Sequence, residues 1–156
     1  GYLLYTDLVK NSKAPFISLI ECVCLKAKDR GIKKVGLMAT ETTIKTQLYH
    51  KILKQNGIEV VNPDNNFLKK QEEIIRSVIA TGETKEFESV LSDMTTKFIN
   101  ENRLDGVILG CTELTLVFPN NKFKNVIDSL DVLADHLLEN FYRKGEATPQ
   151  LDFPAK

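Results

Sequence analysis

Hydrophobic residues follow two rhythms along this chain. Some form short continuous runs bounded by polar or breaking residues: Lys34–Ala39, Ile58–Val61, Leu104–Gly110 and Asn125–Ile127. Runs that short predict strands covered on both faces. Pro15–Leu19 reads as a further short strand. Elsewhere the apolar positions recur every three or four residues, the spacing of an amphipathic helix. This pattern covers Ile20–Arg30, a stretch from Thr43 to about Asn56 (Ile44, Leu48, Ile52, Leu53), Phe67–Ala80, Lys85–Asn102 and Asp128–Tyr142. Gly31, Gly57 and Gly82 stand where helical patterns stop. Asp64 follows an Asn62-Pro63 turn as a helix cap, and the hydroxyls of Thr40–Thr43 can cap another helix. Strands separated by helices need crossover connections, which predicts an α/β fold: a parallel sheet flanked by helices. Residues 1–144 read as one lobe with a closing helix over 128–142. Residues 145–156 carry two prolines and no period, and are expected to be a mobile tail.

Composition narrows the function classes. The 156 residues are 42% hydrophobic and 27% charged, enough for one ordinary core. Twenty-one basic residues balance twenty-one acidic ones, so no excess of positive charge is available to neutralise phosphates and nucleic acid is not an expected partner. No apolar run approaches the roughly 20 residues that span a bilayer, so no membrane partner is expected either. With no export signal, a cytoplasmic location is the expectation. Three cysteines are an odd number for a disulfide framework. Cys22 and Cys24 fit a helix as small buried hydrophobes, with no histidine nearby to complete a zinc set. His50 and His136 fall within helical patterns rather than at strand ends, which argues against a Cys–His hydrolytic pair. The charged face from Lys69 to Glu88 reads as a solvated helix surface.

Chemistry gathers at two strand ends. In an open parallel sheet, ligands bind beyond the carboxyl ends of the strands. Thr40, Thr42 and Thr43 follow the Lys34–Ala39 run, and Cys111, Thr112 and Glu113 follow Leu104–Gly110. Both segments should leave the same edge of one sheet. A helix start there offers free backbone N–H groups, which favour a carboxylate ligand and lower a thiol pKa toward neutrality. Cys111 is thus a candidate nucleophile or general base, with Gly110 allowing close backbone approach. The competing explanation is structural: a cysteine after a buried strand packs as a small residue, and the threonines serve as caps.

Three segments resemble one family. Val35-Gly36-Leu37-Met38-Ala39-Thr40-Glu41-Thr42-Thr43-Ile44, with Tyr49 following, resembles the substrate loop in the second half of the aspartate/glutamate racemases. Asp105-Gly106-Val107-Ile108-Leu109-Gly110-Cys111-Thr112-Glu113-Leu114 resembles their second catalytic-cysteine motif, and Val126-Ile127-Asp128-Ser129 their closing segment. The resemblance spans about Pro15 to Tyr142. It implies one lobe of the two-lobed racemase-like fold, an isomerase of amino-acid metabolism, independence of pyridoxal phosphate and of any other cofactor, and a small acidic amino acid or dicarboxylate as ligand. It implies Cys111 as one of two cysteines facing opposite sides of the substrate α-carbon, with Thr43 and Thr112 at the substrate carboxylate, Thr40 and Thr42 beside them, and Glu113 where glutamate racemases usually carry histidine. The family's first cysteine, in a Pro-Cys-Asn-Thr type motif, has no counterpart here. Arg76 lies in a segment where some aspartate racemases carry lysine. The expectation is a chain incomplete and inactive as a racemase alone, with an apolar face on the last helix that favours a homo-oligomer. Two alternatives stand beside it: a single-cysteine decarboxylase or isomerase acting on a dicarboxylate, and a non-catalytic α/β binding module.

Overall fold

A computed structural model describes residues 17–118 and 123–142, together with residue 11. Its elements, in chain order, are α1 (Leu19–Asp29), β1 (Lys34–Met38), α2 (Glu41–Lys45), α3 (Leu48–Gln55), β2 (Glu59–Val61), α4 (Asn65–Thr81), α5 (Lys85–Asn102), β3 (Gly106–Leu109), α6 (Thr112–Val117), β4 (Val126–Asp128) and α7 (Ser129–Tyr142). The four strands form one sheet in the order β2-β1-β3-β4, every pair parallel. This is the α/β layering that the alternating pattern predicts.

Alternation along the strands divides the core into two layers. Val35, Leu37, Ala39, Ile108 and Ile127 face α1, α3 and α7, where they meet Val23, Ala27, Leu53 and Val132. Met38, Val107 and Leu109 face the other way, onto Ile74, Ile75, Leu91, Phe98 and Leu114 of α4, α5 and α6. Covering both faces is what allows these strands to be continuously apolar. Cys22 and Cys24 lie buried in the first layer, as the sequence predicts. Gly36 is required on the second face, because the Phe98 ring and Leu104 occupy the space a β-carbon would take.

The amino edge of the sheet is pinned by one carboxylate. Asp105 Oδ2 accepts from the backbone N–H groups of Lys33 and Lys34, both at 2.8 Å. The Asp105 N–H donates to the Lys34 carbonyl, and Asn125 Nδ2 donates to the Asp105 carbonyl. Residues at the starts of β1, β3 and β4 are thereby fixed to one another.

Three sequence expectations need correction. Pro15–Leu19 does not end as a strand: Ser18 is the N-cap of α1, its side chain accepting from the Glu21 N–H, and Leu19 is already helical. Pro15 and Phe16 lie outside the described residues, as does the 145–156 tail. The single helix expected from Thr43 to Asn56 is two. Thr46 Oγ1 donates back to the carbonyls of Thr42 and Thr43, and Gln47 takes a left-handed φ of 52°. Such back-bonding competes with continuation of a helix. The break re-aims the chain, so that α2 remains at the sheet edge while α3 turns Tyr49, Ile52 and Leu53 inward. Third, the first three strands are shorter by one to three residues than their apolar runs, ending at Met38, Val61 and Leu109, and β4 keeps its length but is shifted one residue on, to Val126–Asp128.

Two outcomes test this frame. A β-carbon at Gly106 would collide with the backbone oxygen of Asn125, so Gly106→Ala should cost about 2 kcal/mol in urea unfolding. The amides of Lys33 and Lys34 hold the Asp105 carboxyl below the usual carboxylate range. Because the folded pKa is depressed, the stabilisation is present at neutral pH and fades as pH falls below the unfolded value. Asp105→Ala should therefore cost about 1 kcal/mol at pH 7, a modest amount because the side chain is exposed. The gap from the parent protein should close between about pH 5 and about pH 2.

Candidate functional site at the carboxyl edge of the sheet

The pairing of β1 with β3 fixes the site. Met38 lies opposite Leu109, and the Gly110 N–H donates to the Met38 carbonyl at 2.8 Å. On the far side of β3, Leu109 lies opposite Asp128. Thr40, Cys111 and Ser129 therefore leave three adjacent strands at one edge. Gly110 allows this approach: a β-carbon there would lie 3.1 Å from Ala39 Cβ and 3.3 Å from Tyr49 Cε2.

At the end of β1, Thr40 caps α2. Its Oγ1 accepts from the Thr43 N–H at 3.3 Å and pairs with Thr43 Oγ1 at 3.0 Å. The capping function and the candidate ligand function thus fall on the same two hydroxyls. Thr42 is exposed, and its carbonyl accepts from Thr46. Of the loop threonines, Thr40 and Thr43 form one polar unit and Thr42 stands outside it.

At the end of β3, Cys111 is the N-cap residue of α6 and only 7% exposed. Its Sγ–H donates to Glu113 Oε2 at 3.0 Å, and Thr112 Oγ1 donates to the same oxygen at 2.8 Å. These two bonds hold the Glu113 carboxyl below its ordinary range, with the Cys111 contact the larger cause. The thiol moves the opposite way. Burial, then its bond to the Glu113 carboxylate, pushes Cys111 up to about 12. The backbone N–H groups of Glu113 and Leu114 act to lower it, which is the helix-start effect expected from sequence. The expected net shift toward neutrality is corrected here, because desolvation and the neighbouring anion both favour the protonated thiol. Cys111 therefore rests as a proton donor.

Two further groups complete the edge. Tyr49 is 2% exposed. Its phenol hydrogen-bonds with Ser129, burial pushes it up to about 12, and it lies within electrostatic reach of Cys111. Gln71 of α4 is 1% exposed and donates from Nε2 to the Ala39 carbonyl at 2.6 Å. Sequence reading singled out neither Gln71 nor Ser129 for the site. The signal for Gln71 was present: it interrupts the apolar stripe Phe67, Ile74, Ile75, Val78. His50 sits on α3, with Nε2 2.8 Å from Asn62 Oδ1, and takes no part in the contacts of Cys111 described above. Among the described residues, no group of three His, Cys, Asp or Glu side chains converges as a metal site. Two surface clefts are not lined by Cys111, Thr40 or Thr43: one of about 440 Å³ beside β2, lined by His50, Lys54 and Ile58, and one of about 320 Å³ between α1 and α7, lined by Lys26, Arg30, Asp128 and Asp135.

The family model for Asp/Glu/hydantoin racemases matches residues 2–137. The chain belongs to this family. It is 30% identical over 115 residues to an uncharacterised protein of the pnlA 3′ region of Pectobacterium carotovorum, covering 72% of this chain and 74% of that one. It is 26% identical to a glutamate racemase of Limosilactobacillus reuteri, covering 85% of this chain and 47% of the enzyme. The crystal structure of an aspartate racemase homologue from Pyrococcus horikoshii superposes with a TM-score of 0.76 at 32% identity, over 88% of this chain and 61% of that one. The chain thus spans about half of the glutamate racemase and three-fifths of the aspartate racemase homologue. Racemase-family relatives mark the family as one of isomerases. No helix among the described residues is long and apolar enough to cross a membrane.

The Cys111–Glu113 contact is directly testable. Replacing Glu113 by Gln keeps an acceptor but removes the charge that holds the proton on sulfur. Glu113→Gln should shift the alkylation profile of Cys111 to lower pH and speed its reaction with iodoacetamide about tenfold at pH 8. Peptide mass spectrometry resolves Cys111 from Cys22 and Cys24, whose thiols are raised by burial and should remain slow.

Proposed function

We propose that this chain carries out cofactor-independent α-proton transfer on an acidic amino acid or a related dicarboxylate, with Cys111 serving one face of the α-carbon. The observation that carries the reading is the Cys111–Glu113 bond: a nearly buried thiol beside a carboxylate, at the sheet edge that also bears the Thr40–Thr43 pair.

The chemistry follows from those groups. An α-proton beside a carboxylate is very weakly acidic, so its base must be strong. Desolvation makes the Cys111 thiolate a stronger base than a solvated one, and a raised pKa narrows the gap to the carbon acid. Strength is gained at the expense of population, since little thiolate exists at neutral pH. In the forward direction the Cys111 S–H bond breaks, and its proton goes to the carbanion carbon. In the reverse direction the thiolate takes the α-proton, leaving the electron pair on carbon, delocalised into the adjoining carboxylate. Thr43, with Thr40 beside it, and Thr112, once its hydroxyl turns from Glu113, donate hydrogen bonds to that carboxylate, and fixed donors in a water-poor site stabilise its developing charge; Thr42 takes no part.

Racemisation needs a second acid–base group on the opposite face. Cys22 and Cys24 are committed to the core face of α1, where Cys24 Sγ lies 4.0 Å from the Ile52 carbonyl oxygen. In this reading the chain alone exchanges the α-proton from one enantiomer and does not invert it. Location in the cytoplasm and self-association through the last helix belong to the same proposal. Leu130, Leu137 and Leu138 on α7 are 39%, 47% and 55% exposed, which supports the second.

Incubation with L- and D-aspartate in deuterium oxide tests the reading. The α-proton signal should decay for one enantiomer, without conversion to the other, and Cys111→Ser should slow that decay at least about a hundredfold. Absence of exchange from aspartate, glutamate and malonate alike would refute it, and release of carbon dioxide from malonate would replace it with decarboxylation.

A further inference from the structure

Gln71 is an anomaly in its helix. It occupies the inward stripe of α4 with the buried Ile74, Ile75 and Val78 and the partly buried Phe67, all of them apolar. At 1% exposure its amide is removed from water, yet only half of it is matched. Nε2 donates to the Ala39 carbonyl at 2.6 Å, while Oε1 has no partner. An apolar side chain of similar volume would avoid the unmatched acceptor, which costs about 1–3 kcal/mol. The position has to be explained by what the donor half holds.

That carbonyl is a specific one. Gly110 makes the last ladder bond between β1 and β3, to Met38. Ala39 is the next residue, where β1 has ended and α2 has not begun. Its carbonyl direction sets the plane of the Ala39–Thr40 peptide. Thr40 in turn organises the loop: its Oγ1 receives the Thr43 N–H and pairs with Thr43 Oγ1, and its carbonyl receives the Ile44 N–H.

We infer that Gln71 is a positioning residue: by holding the Ala39 carbonyl from α4, it fixes the direction in which Thr40 and Thr43 present their hydroxyls beside Cys111. The functional half of this inference rests on the proton-transfer reading above; the structural half does not. Gln71 touches no reacting atom. Its effect passes through the loop, which binds the substrate carboxylate, and leaves the Cys111–Glu113 contact alone.

Gln71→Met removes the donor and the unmatched oxygen at similar volume and helix propensity. In native-state hydrogen exchange, protection of the Thr43 and Ile44 amides should fall about tenfold while that of Val107, at the sheet centre, stays unchanged. In aspartate α-proton exchange, KM should rise about tenfold with kcat within a factor of about two. Unchanged protection at Thr43, or an equal loss at Val107, overturns the inference whatever the protein does with aspartate. A fall in kcat at constant KM overturns its functional half. The parent protein supplies a check that survives a misfolded variant: one Gln71 Nε2 proton should exchange slowly by NMR, and rapid exchange of both rejects the Ala39 bond. If the parent exchanges no α-proton, the Cys111 reading fails, and the amide measurements still decide the role of Gln71.

Discussion

Parallel pairing between β1 and β3 is the constraint from which the rest of the molecule follows. Residues 34–38 and 106–109 are about seventy positions apart in sequence, yet their register sets Met38 against Leu109 and ends in the Gly110–Met38 hydrogen bond. A slip of one residue would turn every strand side chain to the opposite layer. It would also move Cys111 away from Ala39 and Tyr49. The register is secured from the amino edge, where Asp105 gathers two successive amides of the neighbouring strand. The two buried layers and this carboxylate together fix which residues meet at the other end, a full strand length away.

At that other end, proximity and burial pull against each other. Two short helices start beside the candidate thiol, and the dipolar field of their backbone N–H groups favours an anion. The same packing that brings those starts together strips water from Cys111, and Glu113 adds a negative charge 3.0 Å away. The second pair of effects wins, so the sulfur keeps its proton. The balance suits a group that must act as an acid in one direction and a strong base in the other. A thiol near pKa 7 would be about half thiolate at neutral pH, but a weaker base against a carbon acid.

The sequence made the layers, the sheet and the chemical edge legible because each leaves a local signature. The runs 34–39 and 104–110 are apolar beyond what a half-exposed strand allows, and Gly31, Gly57 and Gly82 mark helix ends by their left-handed φ values of 68° to 73°. What was not legible depends on contacts between distant residues. The α2–α3 break comes from one hydroxyl, Thr46, outcompeting a helix bond, in a stretch whose apolar spacing runs on unchanged. Ser18 and Leu19 read as strand because their apolar neighbours have no period long enough to tell the two apart. The sign of the Cys111 shift required the Glu113 rotamer and the degree of burial, neither of which spacing records. Thr42 could not be separated from Thr40 and Thr43 until the cap of α2 was known.

The two edges of the sheet also differ in how completely their polar groups are matched. At the amino edge, the Asp105 carboxylate and backbone and the Asn125 amide each find a partner. Four buried side-chain atoms without one occur among the described residues: His50 Nδ1, Gln71 Oε1, Thr115 Oγ1 and Asp128 Oδ2. Gln71 lies against Ala39, Asp128 ends β4 beside Leu109, Thr115 is on α6 two residues after Glu113, and His50 bonds the residue that follows β2. All four therefore border the carboxyl edge. Buried polar groups in native proteins are overwhelmingly paired, so a cluster of exceptions on one side calls for a cause. Random imperfection would scatter them over both edges. The unmatched polarity among the described residues thus lies on the side where Thr40, Cys111 and Ser129 leave the sheet. Such an edge is expensive to keep in a purely structural module. The same edge carries the Cys111–Glu113 contact on which the proposed chemistry of this chain rests.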